Sequence, residues 1–106
     1  MGYNLFVMEV RQTRHFADWF RDLRDIRAKA RIAVRIDRLT LGNPGDVKPV
    51  GAGISELRIP YGPGYRLYYT QKGDALVILL CGGHKGSQRR DIVIAKALAV
   101  ELETDQ

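Results

Sequence analysis

Arg58 and Arg66 are the residues whose placement asks for chemistry. They lie in two alternating runs, Ile54 to Ile59 and Tyr65 to Gln71, on either side of the loop Pro60-Tyr61-Gly62-Pro63-Gly64. Such runs around a Gly- and Pro-rich loop predict a β-hairpin. With pairing symmetric about Gly62, Leu57 faces Leu67 and Ile59 faces Tyr65 on the side that packs. The other side then carries Glu56 opposite Tyr68, and Arg58 directly opposite Arg66. Two guanidinium groups across a strand pair repel, which costs stability unless an anion such as a phosphate lies between them.

A second group of residues follows the next strand. Gly82-Gly83 ends an apolar run, and successive backbone N–H groups in such a turn can form an anion nest ahead of a helix whose N-terminus is partially positive. Ser87 is the expected cap. Arg89 and Arg90 fall in the first helical turn, where the macrodipole disfavours cations unless an anion is bound. The spacing is not that of a P-loop, and an ordinary strand-to-helix turn is the plainer reading of Gly82 to Ser87 alone.

Arg58, Arg66 and Lys85 are thus expected to converge on one open sheet face beside His84, Glu56 and Tyr68. That set suits RNA cleavage by the substrate's own 2′-hydroxyl. The reaction requires a base for the hydroxyl, charge stabilisation of the phosphorane and an acid for the departing 5′-oxygen. Glu56 or Lys48 is the candidate base, Arg58, Arg66 and Lys85 hold the phosphate, and His84 donates the proton. Tyr68 stacks on a base or orients the nucleotide. The chemistry needs no metal and no cofactor, and no Cys/His spacing repeats to suggest a metal site. Each residue has a structural alternative: Glu56 as a diagonal salt-bridge partner, Tyr68 as a cross-strand residue, His84 as a solvent-side turn residue.

The elements that must position these groups are legible in the rest of the chain. Its 106 residues fit one domain, residues 1–106, with 45% apolar content for a single core. A net charge of +5 points to a polyanionic partner. Tyr3 to Arg11 reads as a strand. Thr13 caps a helix in which Phe16, Trp19, Phe20 and Leu23 share a buried face. A second helix runs from about Asp25 to Leu41, with Ile32, Ile36 and Leu39 inward and a stop at Gly42. Its Arg24, Arg27, Arg31, Arg35 and Arg38 form a cationic ridge, either a solvated face or an RNA phosphate contact; Arg31 and Arg35 are the candidates there, with Arg89 on the last helix.

Asn43 to Gly53 reads as a loop. After the hairpin, Lys72-Gly73-Asp74 turns into Ala75 to Cys81, an unbroken apolar strand expected to be buried on both faces. Cys81 fits as a small buried side chain. Ile92, Ala95, Ala99 and Leu102 mark the inner side of the last helix, and residues beyond Glu103 are expected to fray. The resulting fold class is α+β, in the order β-α-α-β-β-β-α, an antiparallel sheet with its helices mainly on one face. No run approaches the ~18 apolar residues of a membrane span, and the N-terminus lacks a secretion signal, so a cytoplasmic protein is expected.

Four pieces carry a resemblance: KPVG at Lys48, ELRI at Glu56, YGPGYRLYY at Tyr61, and GGHKGSQ at Gly82 running into a final helix. Together they resemble the RelE/ParE toxin superfamily, and within it the phage-derived Gp49-like branch of addiction module killer proteins grouped with HigB toxins. The resemblance implies the same α+β arrangement. It also implies a type II toxin–antitoxin system whose toxin is a ribosome-dependent endoribonuclease, or mRNA interferase. Its implied partners are the ribosome, mRNA and a cognate antitoxin, commonly a helix-turn-helix DNA-binding protein. RelE-like interferases use a cation before the hairpin turn, an Arg after it, and a basic or His residue at the end of the last strand; Arg58, Arg66 and His84-Lys85 are similar. Their general base is Lys or Glu, which leaves Glu56 and Lys48 both open. Several carry a Tyr near the chain end, whereas this sequence has no aromatic residue after Tyr69. ParE-like members instead inhibit DNA gyrase without cutting nucleic acid, and a degenerate antitoxin-binding module is a third possibility.

Overall fold

The computed structural model describes residues 7–104. Its elements are β1 (Glu9–Gln12), α1 (Arg14–Asp22), α2 (Ile26–Thr40), β2 (Val47–Gly51), β3 (Ile54–Ile59), β4 (Tyr65–Lys72), β5 (Leu76–His84), a 3-10 turn (Lys85–Ser87) and α3 (Gln88–Thr104). The chain is therefore a mixed α+β fold with a sheet of order β1-β5-β4-β3-β2.

The local signals that start and stop the helices act as the sequence suggests. The Thr13 hydroxyl accepts from Phe16 N–H, and the Asp25 carboxylate accepts from the N–H groups of Arg27 and Ala28. Both satisfy donors that a helix N-terminus otherwise leaves bare. Gly42 ends α2 with φ of +78°, a conformation that suits glycine. Phe16, Ile32 and Leu39 are buried, with Trp19, Phe20, Leu23 and Ile36 packed against them.

The hairpin register is the expected one: Leu57 pairs with Leu67, Ile59 with Tyr65, Glu56 with Tyr68 and Arg58 with Arg66. Its two faces go to two separate cores. Leu57, Ile59, Leu67 and Tyr69 join Val77, Leu79 and the side chains of α1 and α2. On the other face Ile54 and Tyr68 join Leu80, Cys81 and Ala95 of α3. The expectation of helices mainly on one face is thus corrected. A strand as uniformly apolar as β5 needs a covering layer on each side, and α3 supplies the second.

Two further corrections concern the sheet. Val47–Gly51, expected as loop, is a strand pairing antiparallel with β3, Lys48 lying opposite Glu56. Its proline is tolerated because β2 is an edge strand, where Pro49 breaks no inner ladder. The sheet is also not wholly antiparallel, since β1 runs parallel to β5 with Val10 beside Val77. Of the expected first strand, Tyr3 to Phe6 lie outside the described residues. Val7 is exposed and Met8 is buried. At the far end α3 continues to Thr104, and the last two residues lie outside the description. Among the described residues, no helix is long and apolar enough to cross a membrane.

Candidate active site

The row of pairs across the sheet assembles the site. Strand alternation puts residues two apart on one face, so Lys48, Glu56 and Tyr68 in one row and Arg58 and Arg66 in the next share the face that α3 partly covers. Glu56 is its centre and is fully buried. Its Oε1 accepts from Arg58 Nε at 3.0 Å and faces Arg66 Nε at 4.0 Å. Its Oε2 accepts from the Tyr68 hydroxyl at 3.1 Å and from Gln88 Nε2 at 2.7 Å.

The repulsion between Arg58 and Arg66 therefore has an anion in the protein itself. One carboxylate sits against two guanidinium groups, so the cluster keeps a net positive charge. Among the described residues, Arg66 Nε is buried with no hydrogen-bond partner. An orphaned buried donor costs free energy that a bound acceptor would recover. The Arg66 side chain is 13% exposed and that of Arg58 is 32% exposed, so both still reach solvent.

The electrostatics fix the ionisation of Glu56 and Tyr68. Burial by itself pushes the Glu56 carboxyl up. The hydrogen bonds from Gln88, Arg58 and Tyr68 and the charge of Arg66 outweigh it and hold the group below the ordinary carboxylate range. Burial, and then the adjacent Glu56 charge, push the Tyr68 phenol far above its usual value, so it stays a donor. Cys81, pushed up to about 12 by burial and by Asp91, is no thiolate.

The glycine pair behind the site is not an anion nest. Gly82 and Gly83 lie inside β5, paired with Leu67 and Arg66, and neither has a positive φ. They are glycines because both faces are crowded. A Cβ on Gly82 would stand 2.3 Å from the Trp19 ring, and one on Gly83 only 1.8 Å from Asp91 Oδ2. These close approaches set α1 and the start of α3 against the sheet, and the second brings Gln88 within reach of Glu56.

His84 and Lys85 stand at the end of β5, both exposed. The Lys85 N–H donates to Gly64 O at 2.8 Å, which ties this corner to the hairpin loop. His84 pairs with Tyr65, on the opposite parity from Arg66. Its Nδ1 accepts from Gly86 N–H at 3.1 Å, which leaves Nε2 as the outward nitrogen. The Ser87 hydroxyl accepts from His84 N–H and donates to the Asp91 carboxylate ahead of α3. Arg89 is exposed one residue beyond Gln88.

Arg31 and Arg35 are not brought to this face. Both belong to α2, which packs on the other side of the sheet. Arg35 is held by backbone carbonyls, donating to Arg58 O at 2.6 Å and Pro44 O at 2.9 Å. The Arg31 guanidinium lies 4.6 Å from the centre of the Tyr61 ring, whose hydroxyl donates to Asp25. Sequence reasoning missed Gln88, a neutral side chain on a helix start whose only signal is its place just after the expected cap. Among the described residues, no three His, Cys, Asp or Glu side chains gather as a metal-ligand group.

Comparison with known proteins places this arrangement in a family. The chain is 50% identical over 96 residues to an uncharacterised Haemophilus influenzae protein, covering 91% of this chain and 97% of that one. Residues 18–99, from within α1 to within α3, match the family described as phage derived protein Gp49-like (DUF891). The match takes in the whole Glu56 cluster, the hairpin and Gln88, and the chain belongs to that Gp49-like family, which is associated with toxin–antitoxin modules.

Proposed function

We propose that the protein is the toxin of a type II toxin–antitoxin pair, a ribosome-dependent endoribonuclease of the HigB and RelE kind that cuts translated mRNA by 2′-hydroxyl attack. The observation that carries this reading is the cluster of Arg58 and Arg66 around buried Glu56. It is preorganised, it has excess positive charge, and it holds one donor, Arg66 Nε, without a partner. Donors fixed before the reaction and aimed at developing charge are what phosphorane stabilisation requires. Family membership supports the toxin–antitoxin setting.

Within this reading Glu56 is a positioning residue. Both of its oxygens already accept hydrogen bonds, from Arg58, Tyr68 and Gln88, and the side chain is sealed from solvent, so a substrate hydroxyl has no path to it. The base role passes to Lys48, exposed on the edge strand directly opposite Glu56. Arg58 and Arg66 hold the phosphate, with Lys85 and Arg89 contributing charge at the margin. His84 donates to the leaving 5′-oxygen through Nε2, the nitrogen that carries the ring's proton while Nδ1 accepts from Gly86 N–H. Tyr68 orients Glu56 rather than stacking on RNA, because it is fully buried. The ribosome supplies the positioning that so small a set of acid–base groups lacks. A cognate antitoxin, in this branch a helix-turn-helix protein, neutralises the toxin.

One observation favours a second reading. With Glu56 and Tyr68 both committed to each other, a ParE-like inhibitor of DNA gyrase, or a module that only binds antitoxin, would need no more than the basic surface. Mapping mRNA 5′ ends in cells expressing the protein, with gyrase supercoiling assayed in parallel, separates the readings. Cuts within translated codons are expected, and supercoiling loss without cuts would reject the nuclease.

A further inference from the structure

On the side of the sheet away from Glu56, a groove of about 490 Å³ runs between α2 and the end of β3. Arg27, Arg31, Arg35 and Arg38 line it, and among the described residues no carboxylate does. Between them lie apolar groups, Ala30 and Val34 from α2 against Ile59 and Pro60 from the hairpin. Val34 is 48% exposed, in the middle of a helix that buries Ile32 and Leu39.

The arginines of this groove are held in place before any partner arrives. Arg35 is fixed by the carbonyls of Arg58 and Pro44, and Arg31 lies over the Tyr61 ring, itself anchored to Asp25. Prefixed side chains lose little entropy on binding. Two charged pairs at i, i+4 spacing, Arg27 with Arg31 and Arg31 with Arg35, repel along the helix, and the carboxylates that act on Arg27 and Arg35, Asp25 and Asp46, lie outside the groove's lining.

We infer that this groove is the docking site for an acidic amphipathic segment of a partner protein, whose carboxylates meet the α2 arginines while apolar side chains seat on Val34 and Pro60. The charge pattern selects that occupant. A second copy of this chain would bring its own net charge of +5 against a cationic surface. An RNA would match the arginines through its backbone, but the apolar lining is aliphatic and gives its bases no aromatic ring to stack on. Because Arg35 grips the carbonyl of Arg58, an occupant here holds the β3 end whose side chain reaches the Glu56 cluster on the other face. The inference stands on the groove alone and does not require the nuclease reading.

The test uses the full chain and three labelled probes. One is a synthetic peptide of about 15 residues, long enough to run beside α2, with glutamates on one helical face and leucines beside them. The second is the same peptide with Gln in place of Glu, and the third is a single-stranded RNA of comparable length. Fluorescence anisotropy is expected to detect the acidic peptide, with affinity reduced about tenfold or more by combined Arg27→Glu and Arg38→Glu substitution and by the Gln peptide. Amide shifts on binding are expected at Ala30 to Arg38 and at Ile59 and Tyr61. Absence of peptide binding, equal binding of the Gln peptide, shifts centred elsewhere, or preferential filling of the groove by the RNA would each overturn the inference. Circular dichroism of the double variant separates lost docking from lost fold, and since no RNA cleavage is read, failure of the nuclease reading leaves the outcome intact.

Discussion

Replacing Glu56 by Gln keeps the shape of the side chain and removes the one anion in the cluster. The glutamate is fully buried and takes hydrogen bonds from Arg58 at 3.0 Å, Tyr68 at 3.1 Å and Gln88 at 2.7 Å. The amide of glutamine can accept at one end only. Turned one way it sets its NH₂ against Arg58 and Arg66, and turned the other way against Tyr68 and Gln88. The first leaves donor facing donor, the second requires the Tyr68 hydroxyl to accept and the Gln88 amide to flip, and both leave the two guanidinium groups without their carboxylate. Removing one partner of a buried ion pair costs roughly 3–5 kcal/mol, and the partial exposure of Arg58 discounts this to about 2–4 kcal/mol. For a domain of this size that is a fall in Tm of about 10–20 °C, measured by thermal scan and checked by urea unfolding with an unchanged m-value. The pH dependence has a defined sign. Since the folded carboxyl is held below its ordinary range, its contribution is complete above the unfolded value near ~4.3 and disappears as pH falls through the folded one. The gap between wild type and Glu56→Gln should therefore close below about pH 4. A variant as stable as wild type at pH 7, or a gap that widens in acid, would refute the reasoning.

Other perturbations follow from the same geometry. Gly82→Ala and Gly83→Ala should each lose about 2–3 kcal/mol by equilibrium unfolding, because a Cβ would meet the Trp19 ring at 2.3 Å or Asp91 Oδ2 at 1.8 Å. Arg35→Ala removes its hydrogen bonds to the carbonyls of Arg58 and Pro44. It should cost about 1.5–3 kcal/mol in urea and speed hydrogen exchange at the Arg58 amide, which donates to Asp46 O. Arg66→Ala takes away a group with an unpartnered Nε and relieves repulsion with Arg58. It should abolish growth arrest on expression while keeping a cooperative thermal transition.

Much of this was legible in the sequence because period-two patterning and a short glycine loop fix a hairpin register. The pairing of Arg58 with Arg66 and of Glu56 with Tyr68 needed nothing more. The face on which α3 lies was not legible. Ile92, Ala95 and Leu102 mark a buried stripe without saying which side of the sheet it covers, although the apolar character of β5 on both faces held the answer. Strand β2 was hidden by Pro49 and Gly51, residues that read as loop and that only an edge position admits. Gly82-Gly83 reads as a turn, and only the three-dimensional neighbours Trp19 and Asp91 reveal it as a place where two helices press on one strand. The largest gap was Glu56. A charged residue on a face expected to be open reads as surface, and Gln88, the neutral side chain that donates to it, lies far along the chain with no spacing to announce it.

The central claim is that Arg58 and Arg66, set by Glu56, stabilise a phosphorane formed by attack of an RNA 2′-hydroxyl. The most direct measurement is the chemistry of the cut ends in a reconstituted translation reaction, with wild type and folded Arg66→Ala side by side. Wild type is expected to leave a 2′,3′-cyclic phosphate or 3′-phosphate on the upstream mRNA fragment, and Arg66→Ala to leave the message intact. Intact mRNA with the folded wild-type protein, a 3′-hydroxyl product, or cleavage by Arg66→Ala at the wild-type rate would contradict it.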